Sequence, residues 1–128
     1  MSTNETPVVL VADDDEDILE LVAYRMELAG YEVMRAGNGE AAWSAATERT
    51  PDLAVLDVMM PKLTGLELTE RLRQHEPTSG VPIILLTART QEDDVTRGFA
   101  AGANDYLRKP FSPQELISRA RSILNRTR

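Results

Sequence analysis

The sequence predicts an α/β fold in which an open parallel β-sheet carries helices on both faces. Short apolar runs rich in β-branched residues alternate with segments whose apolar residues recur every three or four positions. Three of these runs are apolar throughout, which is typical of parallel strands that are buried on both sides. The alternation of strand and helix occurs five times, with no linker-like or low-complexity stretch. We therefore expect one domain built on a single sheet.

The strand predictions rest on where the apolar runs begin and end. Continuous runs predict strands at residues 7–12, 53–56 and 82–86. Weaker patterns predict two more strands, at residues 32–36 and 106–108. Four of the five predicted strands are followed directly by a polar residue. These residues are the candidates for chemistry, because ligands of open parallel sheets bind at the carboxyl ends of the strands.

The first three helices are predicted from apolar periodicity and from their ends. Apolar residues recur at helical spacing from Ile18 to Ala29, and Gly30 is placed to end this helix. Asn38 is a cap residue in front of an alanine-rich second helix. Four leucines predict the third helix, which is broken before Pro77: Leu63, Leu66, Leu68 and Leu72.

The last two helices follow the fourth and fifth strands. Val95 and Phe99 mark the apolar side of the fourth helix, and Gly102 lies near its end. The fifth helix has the clearest start signal. Residues 112–115 read Ser-Pro-Gln-Glu, which is a capping box with proline at the first helical position.

The chain is acidic and contains no cysteine. It has 14 Lys and Arg against 21 Asp and Glu, a formal net charge of −7. This balance argues against nucleic-acid binding, since phosphate must be met by Lys and Arg. The lack of cysteine excludes disulfides, thiolate nucleophiles and zinc–thiolate sites, and it favours a cytoplasmic location. No apolar run approaches the ~20 residues of a transmembrane helix, so we expect no membrane partner.

Acidic, hydroxyl and basic side chains follow the predicted strands at the edge where a ligand is expected. These strand ends carry Asp13, Asp14, Asp57, Thr87 and Lys109. Three carboxylates crowded together repel one another and raise at least one pKa, unless a cation joins them. Oxygen ligands with room for water favour Mg²⁺ or Mn²⁺ over zinc. The sequence therefore predicts a hard divalent cation held by Asp13, Asp14 and Asp57.

Asp57 is the predicted nucleophile. A carboxylate attacks phosphorus to form an acyl phosphate when the incoming negative charge is neutralised. The metal, Lys109 and the Thr87 hydroxyl would each take one phosphoryl oxygen, which is the stabilisation that phosphoryl transfer requires. Taken alone, Lys109 is typical of a surface lysine and Thr87 of a strand end. Their joint placement with the acids at successive strand ends favours a site.

The chain resembles the receiver (response-regulator) domain family over essentially its whole length, and four segments carry the resemblance. The acidic pair lies in VLVADDDEDI, Asp57 in LAVLDVMMPKLTGLEL, Thr87 in IILLTA, and Tyr106 with Lys109 in GANDYLRKPF. The resemblance implies a flavodoxin-like (βα)5 fold with strand order 2-1-3-4-5. It implies one receiver domain at residues 1–128, and we expect no effector domain. It also implies a cis peptide bond between Lys109 and Pro110.

The resemblance implies a signalling function for the chain. A sensor histidine kinase or phosphotransfer protein would donate a phosphoryl group from phosphohistidine to Asp57. The chain is then a receiver that phosphorylates and dephosphorylates itself, not an enzyme acting on other substrates. Asp14, Asp57 and the backbone carbonyl of Met59 would bind Mg²⁺, while Asp13 would act through a coordinated water.

The resemblance also implies a switch. In receivers the side chain matching Thr87 is drawn toward the phosphoryl group and the aromatic matching Tyr106 turns inward, which repacks the fourth helix, fifth strand and fifth helix. The last third of the chain is similar to the OmpR/PhoB subfamily, whose members dimerise through that face using charge pairs. Asp105 and Arg119 match one such pair by spacing, and the alternatives are a pair within one chain or simple exposure of both side chains.

Met59 and Arg89 lie two residues beyond Asp57 and Thr87. At these positions receivers tune the access of water to the phosphoryl group. Our hypothesis is that these bulky side chains slow hydrolysis of the acyl phosphate relative to small polar residues.

Three other functions fit parts of the pattern. An aspartate-nucleophile phosphohydrolase also has acids after its first strand, but it needs an acidic pair after its lysine, and Glu115 is the only acid after Lys109. A flavodoxin-like electron carrier needs a hydroxyl-rich phosphate loop where this chain has an acidic run. A phosphorylation-independent interaction module would share only the fold, and the five strand-end residues argue against it.

Overall fold

Five strands and five α-helices alternate along the chain. The computed structural model describes residues 6–88 and 92–126, apart from the side chains of 92–95. The elements are β1 (Val8–Ala12), α1 (Glu16–Leu28), β2 (Glu32–Ala36), α2 (Gly39–Glu48), β3 (Leu53–Asp57), α3 (Gly65–Gln74), a 3₁₀ turn (Glu76–Thr78), β4 (Ile83–Thr87), α4 (Glu92–Ala101), β5 (Asp105–Arg108) and α5 (Pro113–Arg126).

The strands form one sheet in the order β2-β1-β3-β4-β5, and every neighbouring pair is parallel. This confirms the predicted fold class and strand order. All residues of β1, β3 and β4 are buried, which explains why these strands are apolar nearly throughout. The edge strands β2 and β5 are partly exposed and carry charged residues, so their sequence signal is weaker. Parallel pairing brings the carboxyl ends of all five strands to one edge of the sheet.

Each face of the sheet has its own apolar core. On one face, side chains of β1 and β3 such as Val11 and Val55 share a core with buried residues of α1 and α5. On the other face, Leu10 and Leu56 share a core with α2 and α3. The residues of a strand alternate between these two cores because successive side chains point to opposite faces. No helix among the described parts of the chain is both long enough and apolar enough to cross a membrane.

The side-chain caps predicted for α2 and α5 are present, and α1 is capped as well. Asp15 caps α1 by accepting hydrogen bonds from two backbone N–H groups of the first turn. The Asn38 side chain accepts a hydrogen bond from the Ala41 N–H at 2.8 Å and caps α2. Ser112 accepts one from the Glu115 N–H at 3.4 Å at the start of α5. The side chain of Val95, which we used to predict α4, lies outside the described residues.

The predicted start of the third helix was wrong. Leu63 is buried, with 6% of its surface exposed, but it lies in the loop before α3. The helix begins at Gly65 after a capping box in which the Thr64 side chain accepts from the Glu67 N–H and the Glu67 carboxylate accepts from the Thr64 N–H. Periodicity misplaced the start because a buried loop leucine and a helical leucine give the same apolar signal.

Candidate functional site

Asp57 is the last residue of β3 and lies at the centre of the strand-end edge. It is buried, with 4% of its surface exposed. Its position is fixed on both sides, because Val58 donates its N–H to the Leu86 carbonyl of β4 and Gly65 donates its N–H to the Val58 carbonyl. Gly65 packs so closely that a Cβ there would overlap the Asp57 carbonyl oxygen. The backbone that presents the carboxylate is therefore held rigidly.

Asp13 and Asp14 follow β1 and lie beside Asp57. Asp13 is 1% exposed, and its Oδ1 accepts a hydrogen bond from the Asp15 N–H at 2.9 Å. Asp14 is exposed. One carboxylate oxygen from each of the three aspartates lies within 4.8 Å of the others. The structure thus brings together the three acids that the strand-end argument predicted.

Lys109 follows β5 and reaches across β4 to the acids. Its Nζ lies 3.0 Å from Oδ2 of Asp13 and 3.2 Å from Oδ1 of Asp57. Its backbone N–H donates to the Thr87 carbonyl at 2.7 Å. The peptide bond between Lys109 and Pro110 is cis, as expected from the sequence. Lys109 is therefore part of the cluster and not a surface lysine.

The charges of the cluster do not balance. Burial and, after it, the Asp13 charge raise the pKa of Asp57 to about 6, although the charge and hydrogen bond of Lys109 oppose the rise. Burial acts to lower the pKa of Lys109, but its hydrogen bonds and charge interactions with Asp13 and Asp57 raise it overall. One ammonium faces three carboxylates, so a further cation would be stabilised here.

Thr87 and Tyr106 lie on the neighbouring strands β4 and β5. Thr87 is the last residue of β4 and is buried, whereas Tyr106 is half-buried. The Tyr106 ring packs edge-on against Phe99 of α4, with 5.8 Å between centroids. A small recess with a cavity volume of about 10 Å³ lies between the two residues and is lined by Val58, Leu85, Thr87, Gly98, Phe99, Ala103, Asp105 and Tyr106. This volume is about that of one water molecule, so an aromatic ring could enter only if the lining residues moved.

Two further hypotheses from the sequence concern Met59 with Arg89 and the pair of Asp105 and Arg119. Met59 follows the end of β3 and is 56% exposed, while Arg89 lies outside the described residues. Arg119 donates to the Asp105 carboxylate at 2.8 Å and to the Glu115 carboxylate at 2.9 Å, all in one chain. The structure thus shows the within-chain alternative for the Asp105–Arg119 pair.

The backbone residues that shape the loop after β3 were not predicted from the sequence. Lys62 has a positive φ of 72°. The N–H of the next residue, Leu63, donates to the carbonyl of the preceding residue, Pro61, at 2.8 Å. This three-residue turn is an uncommon conformation for a non-glycine residue. The signal that was available is the Thr64-x-x-Glu67 capping box, which marks the end of this loop and the start of α3.

Comparison with known proteins agrees with this geometry. A model of the response regulator receiver domain matches residues 9–121. The phosphate regulon transcriptional regulatory protein PhoB of Pseudomonas aeruginosa is 44% identical over 119 residues, which cover 93% of this chain and 52% of that protein. The chain spans about half the length of the curated relatives that it matches.

Solved structures give the same result. A response regulator from Chloroflexus aurantiacus superposes with a TM-score of 0.89 at 42% identity, covering 94% of this chain and 99% of that one. The receiver domain of a sensor histidine kinase from P. aeruginosa superposes with a TM-score of 0.87 at 29% identity, with coverage of 94% and 99%. That structure holds a magnesium ion coordinated in its active-site cleft.

These matches favour a receiver domain of two-component signalling over the hydrolase and electron-carrier alternatives. The named relatives are transcriptional regulators, and the match extends over both the strand ends and the helices. The chain belongs to the response regulator receiver domain family.

Proposed function

We propose that residues 1–128 act as one receiver domain that accepts a phosphoryl group on Asp57. The donor is a phosphohistidine of a sensor histidine kinase or phosphotransfer protein. One observation carries the proposal: three carboxylates converge within 4.8 Å, and Lys109 Nζ lies 3.2 Å from the carboxylate of Asp57. A nucleophilic carboxylate, an ammonium and two further acids at one strand-end edge match the requirements of phosphoryl transfer.

The chemistry follows from the groups around Asp57. A carboxylate oxygen of Asp57 attacks phosphorus while the P–N bond of the phosphohistidine breaks, and the imidazole leaves with the bonding electron pair. Lys109 already lies beside this carboxylate, so its ammonium can pair with a phosphoryl oxygen without a large movement. Thr87 ends the adjacent strand β4, from which its hydroxyl supplies a second donor. The burial of Asp57 and Thr87 strengthens these interactions by excluding water.

The residues present fit a divalent cation. Asp13, Asp14 and Asp57 would supply carboxylate oxygens to it. The backbone carbonyl of Met59 would supply a fourth oxygen, and oxygen ligands of this kind are those that Mg²⁺ or Mn²⁺ prefers. We assign Asp14, Asp57 and Met59 as direct ligands and Asp13 as a ligand through water. A bound dication neutralises charge on the incoming phosphoryl group. The excess of acids over Lys109 gives the site this affinity.

The output is a change on the face formed by α4, β5 and α5. A phosphoryl group adds nearly two negative charges at Asp57 and attracts the Thr87 hydroxyl. Movement of Thr87 enlarges the recess beside it, and Tyr106 turns into that space. The changed face then contacts an output partner or a second copy of the chain. A homodimer that uses Arg119 must first exchange its present bonds to Asp105 and Glu115.

The test is labelling with a small phosphodonor. The wild-type protein is incubated with acetyl phosphate and Mg²⁺, and the intact mass is measured. We expect one added phosphoryl group, which is absent when EDTA removes the metal and absent in Asp57→Ala. Glu48→Gln, which changes an exposed acid of α2, is the matched control and should label normally. Labelling of Asp57→Ala at the wild-type level would refute the assignment.

A further inference from the structure

Arg73 contacts three short parts of the chain: Gly102 and Asn104, which are neighbours 29 and 31 residues away, and Ser79, which is 6 residues away. It lies near the end of α3 and is half-buried. Its Nε donates to the Gly102 carbonyl at 3.0 Å, one terminal nitrogen donates to the Ser79 carbonyl at 3.2 Å, and the other donates to the Asn104 side-chain oxygen at 3.0 Å. All three acceptors are neutral oxygens. This half-buried guanidinium donates its hydrogen bonds to backbone and amide oxygens and not to a carboxylate. Such bonds hold the accepting segments in place.

The first of these segments is the carboxyl end of α4. The Gly102 N–H donates to the Phe99 carbonyl and the Ala103 N–H to the Gly98 carbonyl, which is the Schellman arrangement that ends a helix. Gly102 has φ +113°, and a Cβ there would lie 2.9 Å from Cγ of Arg73. The glycine therefore allows both the turn and the close approach of Arg73. The guanidinium also complements the negative end of the helix dipole.

The second segment links α4 to the sheet. The Asn104 side-chain oxygen that accepts from Arg73 also accepts from the Ile83 N–H at 2.8 Å, and the Asn104 N–H donates to the Ile83 carbonyl at 2.8 Å. Ile83 is the first residue of β4. Arg73 and Asn104 thus tie the carboxyl end of α4 to α3 and to the start of β4, at the end of β4 opposite Thr87.

We propose that Arg73 is a positioning residue that anchors the carboxyl end of α4, so that this helix moves mainly at its amino end when the domain switches. The anchor itself is independent of phosphorylation. The direction of movement rests on the proposed function, because phosphorylation of Asp57 is the event that would make the domain switch. α4 forms part of the output face, so the anchor determines which residues of that face change between the two states.

Hydrogen exchange measured by mass spectrometry tests the anchor in the unmodified protein. Arg73→Met removes the donors but keeps a long apolar side chain, and we expect exchange in residues 98–105 to rise about tenfold. Arg71→Met is the control, because Arg71 lies on the same helix and packs over Trp43. Asn104→Asp keeps both accepted bonds and adds a charge facing Arg73, so exchange there should slow. If Arg73→Met and Arg71→Met gave the same pattern, or if exchange rose uniformly in every strand, the anchor would be refuted.

Beryllofluoride with Mg²⁺, a mimic of the phosphoryl group, tests the direction of movement. In the wild type we expect a change in exchange in residues 92–97 and little in 98–105, whereas in Arg73→Met the change should extend to 98–105. Equal changes along the whole of wild-type α4 would overturn the proposal. If beryllofluoride changes hydrogen exchange nowhere in the wild type, the proposed function fails. The comparison of Arg73→Met with Arg71→Met in the unmodified protein then still decides whether the anchor exists. If Arg73→Met does not fold, Arg73→Lys takes its place and should show a smaller increase in exchange.

Discussion

At the residue scale, the properties of Asp57 follow from two opposing demands. A nucleophile for phosphorus needs a charged carboxylate, yet Asp57 is 4% exposed and lies beside Asp13. Burial and the Asp13 charge therefore raise its pKa to about 6, against the effect of Lys109. The folded protein keeps this acid charged at neutral pH at a cost in stability, and a cation reduces that cost.

The first prediction is that Asp57→Asn is more stable than the wild type at pH 7. The unfolded aspartate titrates near 3.8 and the folded one near 6, so the folded state binds more protons between these values. Stability from this group therefore falls as the pH rises through that window. We expect a gain of roughly 1–3 kcal/mol for Asp57→Asn at pH 7, measured by denaturant unfolding without divalent cations, after allowing for the lost bond to Lys109.

The pH dependence provides the control for this prediction. Well below the unfolded pKa of 3.8, at about pH 3 and lower, the carboxyl is protonated in both states, so the difference between Asp57→Asn and the wild type should disappear. Glu48→Gln, at an exposed position of α2, should show no comparable pH-dependent gain. A gain that is independent of pH would show that packing, and not charge, is responsible.

The second prediction concerns Met59, which lies two residues beyond Asp57 and is 56% exposed. We expect Met59→Ser to shorten the lifetime of the acyl phosphate by about threefold or more, because a small hydroxyl admits and orients water where a bulky thioether does not. The loss of the adduct after removal of acetyl phosphate, followed by intact mass, measures this lifetime. Met59→Leu keeps the bulk and should behave like the wild type. Equal lifetimes for all three proteins would contradict the hypothesis.

At the element scale, the junction of β3 and α3 determines how Asp57 is presented. Gly65 begins α3 and packs directly on the backbone of Asp57 and Val58. The capping box of Thr64 and Glu67 fixes where the helix starts. Because of this close approach, α3 supports the end of β3. A change at the start of α3 should therefore shift the Asp57 carboxylate.

The third prediction is that Gly65→Ala destabilises the protein and slows labelling of Asp57. The added methyl group overlaps the Asp57 carbonyl oxygen, and overpacking of this kind costs roughly 1–3 kcal/mol. Thermal unfolding and the rate of acetyl phosphate labelling measure the two effects. Gly80→Ala is the matched control, because a Cβ at Gly80 meets nothing within 4 Å. If both variants were equally stable and equally reactive, Gly65 would have no supporting role.

The elements were predictable to the extent that burial marks them. The three central strands are buried on both faces, so their apolar runs identified them within one or two residues. Of the two edge strands, β2 has its predicted bounds, and β5 begins at Asp105, one residue before its predicted start. Leu63 misled the prediction because burial in a loop and burial in a helix look alike in sequence.

The candidate site was predictable in its members but not in its contacts. The topology of a parallel sheet places strand ends together, so Asp13, Asp57 and Lys109 could be grouped from their positions. The sequence carried no sign that Lys109 bonds to Asp13 as well as to Asp57. It also carried no sign of the contacts of Arg73, which resembles any basic residue near the end of a helix.

At the scale of the whole molecule, the site joins three strand ends that are far apart in the chain. Asp13 and Lys109 are separated by 96 positions, yet their side chains are hydrogen-bonded. Such a site exists only when the sheet is complete, so a ligand held by Asp13, Asp14 and Asp57 binds the folded state alone. Binding is therefore coupled to global stability.

The fourth prediction follows from this coupling. Mg²⁺ should raise the unfolding midpoint of the wild type, by about 2.7 kcal/mol of stability at a hundredfold excess over the dissociation constant. Asp57→Asn should show a much smaller shift because it loses one ligand charge. Asp17→Asn changes an exposed acid of the first turn of α1 outside the cluster and should respond like the wild type. Equal shifts in Asp57→Asn and the wild type would place the cation elsewhere.

We propose that Asp57 accepts the phosphoryl group, and the residue that carries this group can be identified directly. Sodium borohydride reduces an acyl phosphate of aspartate to homoserine, which peptide sequencing by mass spectrometry locates. After treatment with acetyl phosphate and Mg²⁺, we predict homoserine at position 57 and at no other aspartate. Homoserine at Asp13 or Asp14, or labelled protein that yields none at position 57, would contradict the account.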